Sequence, residues 1–145
     1  YTLLGPFETT SLSVGRGTDT PFEVIGAPFV DPAALLTELG ELPGLELKSV
    51  TFVPRGSTQR GKACKGLAIR VRHASQFDAT TSLLRLADAL LKLYPQVNAL
   101  RLDDLLANRA TLDALRRGEP PDAIQQLWRK ELDGYREQRG KILLY

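Results

Sequence analysis

The sequence predicts one α/β domain of the α+β kind, a short mixed sheet built in the first half and packed by helices from the second. Two observations carry this. Residues 1–75 are rich in glycine, proline, threonine and β-branched residues, with apolar runs too short for helices, whereas from Thr80 apolar residues recur at helical spacing. With 145 residues and 43% apolar content, the chain has enough side chains for a real core.

The elements follow in order. Asp31 can cap a short helix that Pro32 opens and Gly40 closes, with Leu35, Leu36 and Leu39 as its apolar stripe. Glu46 to Val53 and Gly66 to Arg72 read as strands, joined by the long polar loop PRGSTQRGKACKG. In TSLLRLADALLKLYP, Leu83, Leu86, Ala87, Leu90 and Tyr94 share one helical face and Pro95 supplies a stop. A second helix is expected over Ala110 to Arg117, ended by Gly118. A third starts at Pro120 or Pro121, with Ile124, Leu127, Trp128, Leu132 and Tyr135 on its apolar face. The terminal ILLY reads as a last short strand.

Composition excludes several classes. The net charge of +2 demands neither a nucleic acid nor an anionic membrane, and no apolar run approaches the roughly 20 residues of a membrane span. One cysteine rules out an internal disulfide, and Cys64 with the lone His73 cannot build a typical zinc site, so no metal or cofactor is expected. A Cys64–His73 nucleophile and base is conceivable, but a lone cysteine is more often a small buried hydrophobe. A chain that opens on Tyr1 and lacks methionine reads as processed or cut, or as the downstream part of a longer protein.

Folding explains least the stretch ETTSLSVGRGTDTPFEVIGAP, residues 8–28, which gathers three carboxylates, six hydroxyls, one arginine and three glycines. Gly15 and Gly17 would let the backbone turn tightly around Arg16, whose planar fork of donors suits a carboxylate or phosphate. Ser11, Ser13 and Thr18 are neutral donors suited to sugar hydroxyls. Glu8, Asp19 and Glu23 are candidates for acid/base work, since glycoside hydrolysis commonly uses two carboxyl groups. The plainer alternative is a glycine-rich turn in which the hydroxyls satisfy local backbone groups and Arg16 makes a structural ion pair.

A second feature is the absence of any acidic residue between Glu46 and Asp78, a window that holds Lys48, Arg55, Arg60, Lys62, Lys65, Arg70 and Arg72. Should its loop project beside the polar stretch, these cations would attract an anionic substrate; otherwise it is a solvated loop. Single-stranded nucleic acid is disfavoured, because Phe52 is the one aromatic between Lys48 and Arg72. Trp128 could stack on a sugar, but its place beside Ile124 and Tyr135 fits a core role better.

The blocks FETTSLSVGRGTDTPFEVIGAPF, GKACKGLAIRV, LLKLYP and LDGYREQRGKILLY, in this order, resemble the C-terminal part of the NamZ family of exo-β-N-acetylmuramidases over essentially the whole chain. The family pattern F-E-G-T-N-x-S-x-G-R-G-T is matched by Phe7, Glu8, Thr10, Ser13, Gly15, Arg16, Gly17 and Thr18; Thr9 replaces the glycine and Ser11 the asparagine. The resemblance implies the smaller C-terminal domain of a two-domain parent whose N-terminal Rossmann-like domain is absent from this chain, with the active-site cleft between them. It further implies removal of non-reducing terminal N-acetylmuramic acid from peptidoglycan fragments, and a secreted or periplasmic setting. On this reading Arg16 meets the lactyl carboxylate, Ser11, Ser13 and Thr18 bind substrate, and Glu8 and Glu23 are substrate-binding or acid/base groups. The chain alone would then be inactive and would pair through its open cleft with the parent's other domain or a second copy. A carbohydrate-binding or structural accessory domain without turnover is the alternative, and a nucleic-acid-binding module a more distant one.

Overall fold

The computed structural model describes residues 1–97 and 108–142. After a 3-10 turn at Gly5–Thr9 come strand β1 (Val24–Ala27), helix α1 (Pro32–Leu39), strands β2 (Leu45–Phe52) and β3 (Cys64–Val71), and helices α2 (Ala79–Leu93), α3 (Arg109–Arg116) and α4 (Pro121–Ile142).

The sheet has the order β1-β3-β2. Both pairings are antiparallel, Val24 opposite Ala68 in one and Leu45 opposite Val71 in the other, so the sheet is not the mixed one expected from sequence. The reason is topological. Helix α1 carries the chain from β1 to β2, which run in the same direction, but it leaves a gap one strand wide that β3 fills from the other side. At the β1–β3 seam Gly26 sits opposite Gly66. A Cβ on Gly66 would collide with the Ile25 carbonyl and one on Gly26 with the Lys65 carbonyl, so the two backbones approach as only glycine permits.

Local chemistry places each helix. Asp31 caps α1 by accepting from the N–H groups of Ala33 and Ala34, and the chain leaves at Gly40 with φ +58°. Asp78 caps α2 through Thr80 and Thr81, and Asn108 caps α3 through Thr111. The Tyr94 hydroxyl at the end of α2 donates to the Asp31 carbonyl at 2.8 Å and accepts from its N–H at 3.1 Å, which ties the start of α1 to the end of α2.

One core joins Phe7 and Leu12 from the N-terminal segment, Ile25 and Leu67 from the sheet, and Leu35, Leu84, Leu90 and Leu112 from the helices, all fully buried. On α2 the expected Leu86, Ala87, Leu90 and Tyr94 are buried, but so is Leu84, while Leu83 is half-buried. The wider stripe arises because α2 packs against α1 on one side and against α3 and α4 on another.

Helix α4 departs from the expected pattern. Ile124 is buried and Trp128 half-buried, but Leu127, Leu132 and Tyr135 are 47%, 44% and 61% exposed. Twenty-two residues make a helix roughly 33 Å long, which outruns the body that could cover it. Ile142 is helical, and residues 143–145 of the expected last strand lie outside the described residues.

Candidate functional site

The polar stretch folds as a compact loop on the edge of the sheet. Ser13 makes a two-way bridge to Gly26, its N–H donating at 2.8 Å and its carbonyl accepting at 3.0 Å, so the segment continues the sheet beyond β1. The chain then turns through Gly15 and Gly17, both at φ +77°. Phe22 N–H returns to the Val14 carbonyl at 2.8 Å and closes the loop before Glu23 leads into β1.

Most hydroxyls of the stretch serve this shape. Thr10 Oγ1 donates to the Phe7 carbonyl at 2.6 Å and accepts from Leu12 N–H at 3.2 Å. Ser13 Oγ accepts from Gly15 N–H at 3.2 Å, and the residue is 2% exposed. Thr18 Oγ1 donates to the Gly15 carbonyl at 2.6 Å and accepts from Thr20 N–H. Ser11 Oγ donates to the Gln96 carbonyl at 2.8 Å. Those of Thr10, Ser13 and Thr18 are local backbone bonds, whereas that of Ser11 reaches across 85 residues.

The charged groups behave differently. Arg16 Nε donates to Glu8 Oε1 in an ion pair whose side chains keep 46% and 22% of their exposure. The guanidinium lies 5.0 Å from the centre of the Phe22 ring, and that ring packs on Tyr1 with 4.7 Å between centroids. The hydrogen bond that Arg16 donates to Glu8 raises the guanidinium pKa above its ordinary value. Because Glu8 engages Nε, the Nη groups, which bond to none of the described residues, remain for a second carboxylate to meet end-on.

Glu23 is apart from this pair. It is exposed, and its carboxylate has no hydrogen bond or ion pair among the described residues, while its backbone carbonyl accepts from Ile69 N–H at 2.8 Å. Its side chain borders an open groove of about 400 Å³ with Tyr1, Phe22, Ile69, Arg70 and Phe77. Asp19 is also exposed. The structure thus brings Glu8 to Arg16 and sets Glu23 on the groove that Tyr1 and Phe22 also line, with no bond between the two carboxylates.

The basic loop between β2 and β3 docks against the same stretch. Gly56 N–H donates to the Arg16 carbonyl at 3.2 Å, and Gln59 Nε2 donates to the Ser11 carbonyl at 2.7 Å. Ser57 and Gln59 adopt positive φ, 59° and 63°, so the loop holds a defined shape at the cost of backbone strain. Arg55, Arg60 and Lys62 are exposed and make no ion pair among the described residues, whereas Lys48 and Arg72 share Glu46.

Other candidates are accounted for by the fold. Cys64 is fully buried, and burial raises its thiol pKa. Trp128 donates its indole N–H to Thr111 Oγ1 at 2.6 Å and packs on the core. Among the described residues, no group of three His, Cys, Asp or Glu side chains could hold a metal ion. Sequence reasoning missed Phe22 and Gln59. Nothing in their spacing marks them, since each acts through a contact that tertiary folding creates.

Comparison with known proteins bears on the family and the fold of the chain. The chain is 30% identical to the peptidoglycan β-N-acetylmuramidase NamZ of Bacillus subtilis (strain 168) over all of its own length, and spans 36% of that relative. Crystal structures of two proteins of the DUF1343 family from Bacteroides fragilis share its fold. One gives a TM-score of 0.84 at 19% identity, covering 100% of this chain and 41% of the other. The second gives 0.62 at 22% identity, covering 99% of this chain and 40% of the other. The family described as exo-β-N-acetylmuramidase NamZ, C-terminal, matches residues 1–145, and the chain belongs to it.

Proposed function

We infer that this domain forms one wall of the sugar-binding cleft of a glycoside hydrolase that removes terminal N-acetylmuramic acid from peptidoglycan fragments. The other wall would come from an N-terminal, Rossmann-like domain of the parent. The observation that carries this reading is Arg16, held by Glu8 through Nε with its Nη groups left open, beside a loop of uncompensated cations. Muramic acid differs from glucosamine by a lactyl ether that ends in a carboxylate, and a guanidinium fork is the side chain that reads a carboxylate in two parallel bonds. Arg55, Arg60 and Lys62 add a positive field that draws an anionic sugar toward the cleft.

In this reading Glu8 holds Arg16 rather than acting as the acid, because protonating a leaving group would require breaking its ion pair. Glu23, unpaired and on the groove, is the carboxylate available for acid/base work. Ser11, Ser13 and Thr18 fix the shape of the wall. A retaining or inverting course depends on the partner carboxyl from the other domain.

The test is release of chromophore from an aryl N-acetylmuramic acid glycoside by the full-length parent and by this chain, with the N-acetylglucosamine analogue as control. Turnover of the muramic substrate by the parent and not by the chain is expected. Binding of the sugar by a folded parent without turnover would establish the accessory-domain reading instead, and neither binding nor turnover would refute both.

A further inference from the structure

Phe22 occupies a conformation that phenylalanine seldom takes. Its φ is +62°, in the left-handed region where the same loop uses glycine at 15 and 17 and where a side chain is strained. Strained residues of this kind persist where the surroundings over-determine them. Here the backbone is fixed by the Phe22 N–H bond to the Val14 carbonyl, and the ring is fixed between the Arg16 guanidinium at 5.0 Å and the Tyr1 ring at 4.7 Å.

The ring supplies what Glu8 cannot. A single hydrogen bond at Nε anchors one atom of the guanidinium and leaves its plane free to swing about the bond. Two parallel bonds to an incoming carboxylate require that plane to be set in advance, since the donors of the fork are coplanar. A ring face beneath the cation attracts it electrostatically and restricts it to one orientation. Tyr1 in turn packs on the ring at a tilt of 59°.

We propose that Phe22 is a positioning residue that sets the guanidinium plane of Arg16 and thereby the preference of the site for a carboxylate-bearing sugar. The inference rests on the muramidase reading. Phe22 acts through Arg16, so its removal changes recognition of the carboxylate and leaves the bond-breaking step intact.

The experiment uses the full-length parent and the aryl glycosides of N-acetylmuramic acid and N-acetylglucosamine. In Phe22→Leu, KM for the muramic substrate is expected to rise about tenfold, with kcat within about twofold and the constants for the glucosamine analogue unmoved. Phe22→Tyr, which keeps the ring, retains the wild-type preference. Phe22→Gly relieves the backbone strain while removing the ring, so it decides the matter should the leucine variant fail to fold; it is expected to lose the preference as well. In an Arg16→Lys background, Phe22→Leu should add nothing. A wild type without preference for the muramic substrate overturns the muramidase reading and the inference with it. A wild-type preference that survives in both Phe22→Leu and Phe22→Gly overturns the inference alone, as does an equal loss on both substrates.

Discussion

At Gly17 the polar stretch lies against the basic loop with no room for a side chain, and replacing it with alanine tests whether that contact is a structural joint. The residue has φ +77°, and a Cβ there would stand 2.8 Å from Gly56 N and 2.9 Å from Arg55 Cβ. Two penalties follow. Alanine in the left-handed region costs about 1 kcal/mol. The loop must also move away, which breaks the bond from Gly56 N–H to the Arg16 carbonyl and removes about 1 kcal/mol more. Gly61→Ala is the control: its φ is +74°, and nothing lies within 4 Å of an added Cβ. Both substitutions restrict the unfolded chain equally, so that contribution cancels in the comparison. Urea denaturation should therefore show Gly17→Ala less stable than Gly61→Ala by about 1 kcal/mol, a midpoint lower by about half a molar. Trypsin should cut at Arg55 and Arg60 faster in the Gly17 variant alone. Equal midpoints for the two variants, with unchanged cleavage, would show that the loop is not held by this joint.

Three further outcomes follow from the same geometry. Thr111→Val leaves the Trp128 indole N–H without its 2.6 Å acceptor; the loss should be about 1–2 kcal/mol, and emission from the sole tryptophan should shift, whereas unchanged fluorescence and stability would refute the bond. The Asp78 carboxyl is held below its ordinary value of 3.8 by the Thr81 hydroxyl, against a smaller opposing effect of burial, so its stabilisation is present above about pH 4 and is lost as pH falls through the lower folded value. Wild type should exceed Thr81→Ala in stability at pH 6 and converge with it near about pH 2; a gap that stays constant with pH would contradict this origin. The buried Cys64 thiol, with its pKa raised, should react with a disulfide reagent only as fast as the domain opens, so rapid labelling in native buffer would contradict its placement.

Elements whose signals are local were legible in the sequence. Helix α1 is announced by Asp31, Pro32 and Gly40, and all three take the predicted positions. Strands β2 and β3 fall within two residues of the expected bounds because β-branched runs between polar turns leave few alternatives. Strand β1 was not legible: its four residues lie inside the polar stretch, and all are buried because the loop of residues 14–22 folds over one face while helices cover the other. The apolar face of α4 misled because periodicity shows which side of a helix is apolar and not how far a neighbour extends along it. At the site, Glu8 and Arg16 were legible from residue type and motif. Phe22 and Gln59 were not, since a strained φ and a hydrogen bond across 48 residues leave no trace in local spacing.

The stretch from Thr10 to Glu23 lacks regular secondary structure apart from the Ser13 bridge, yet much of it is buried. Its backbone groups cannot be left without partners, and a helix or strand ladder is not there to supply them. The hydroxyls of Thr10, Ser13 and Thr18 meet that need, each bonding a backbone group two or three residues away. Such a wall is stiff without being regular, and it can carry Arg16 and Glu23 outward at positions that neither a helix nor a strand would provide. The density of polar residues therefore has two causes. Hydroxyls were required to fold the segment, and the charges of Arg16 and Glu23 were left at its exposed surface.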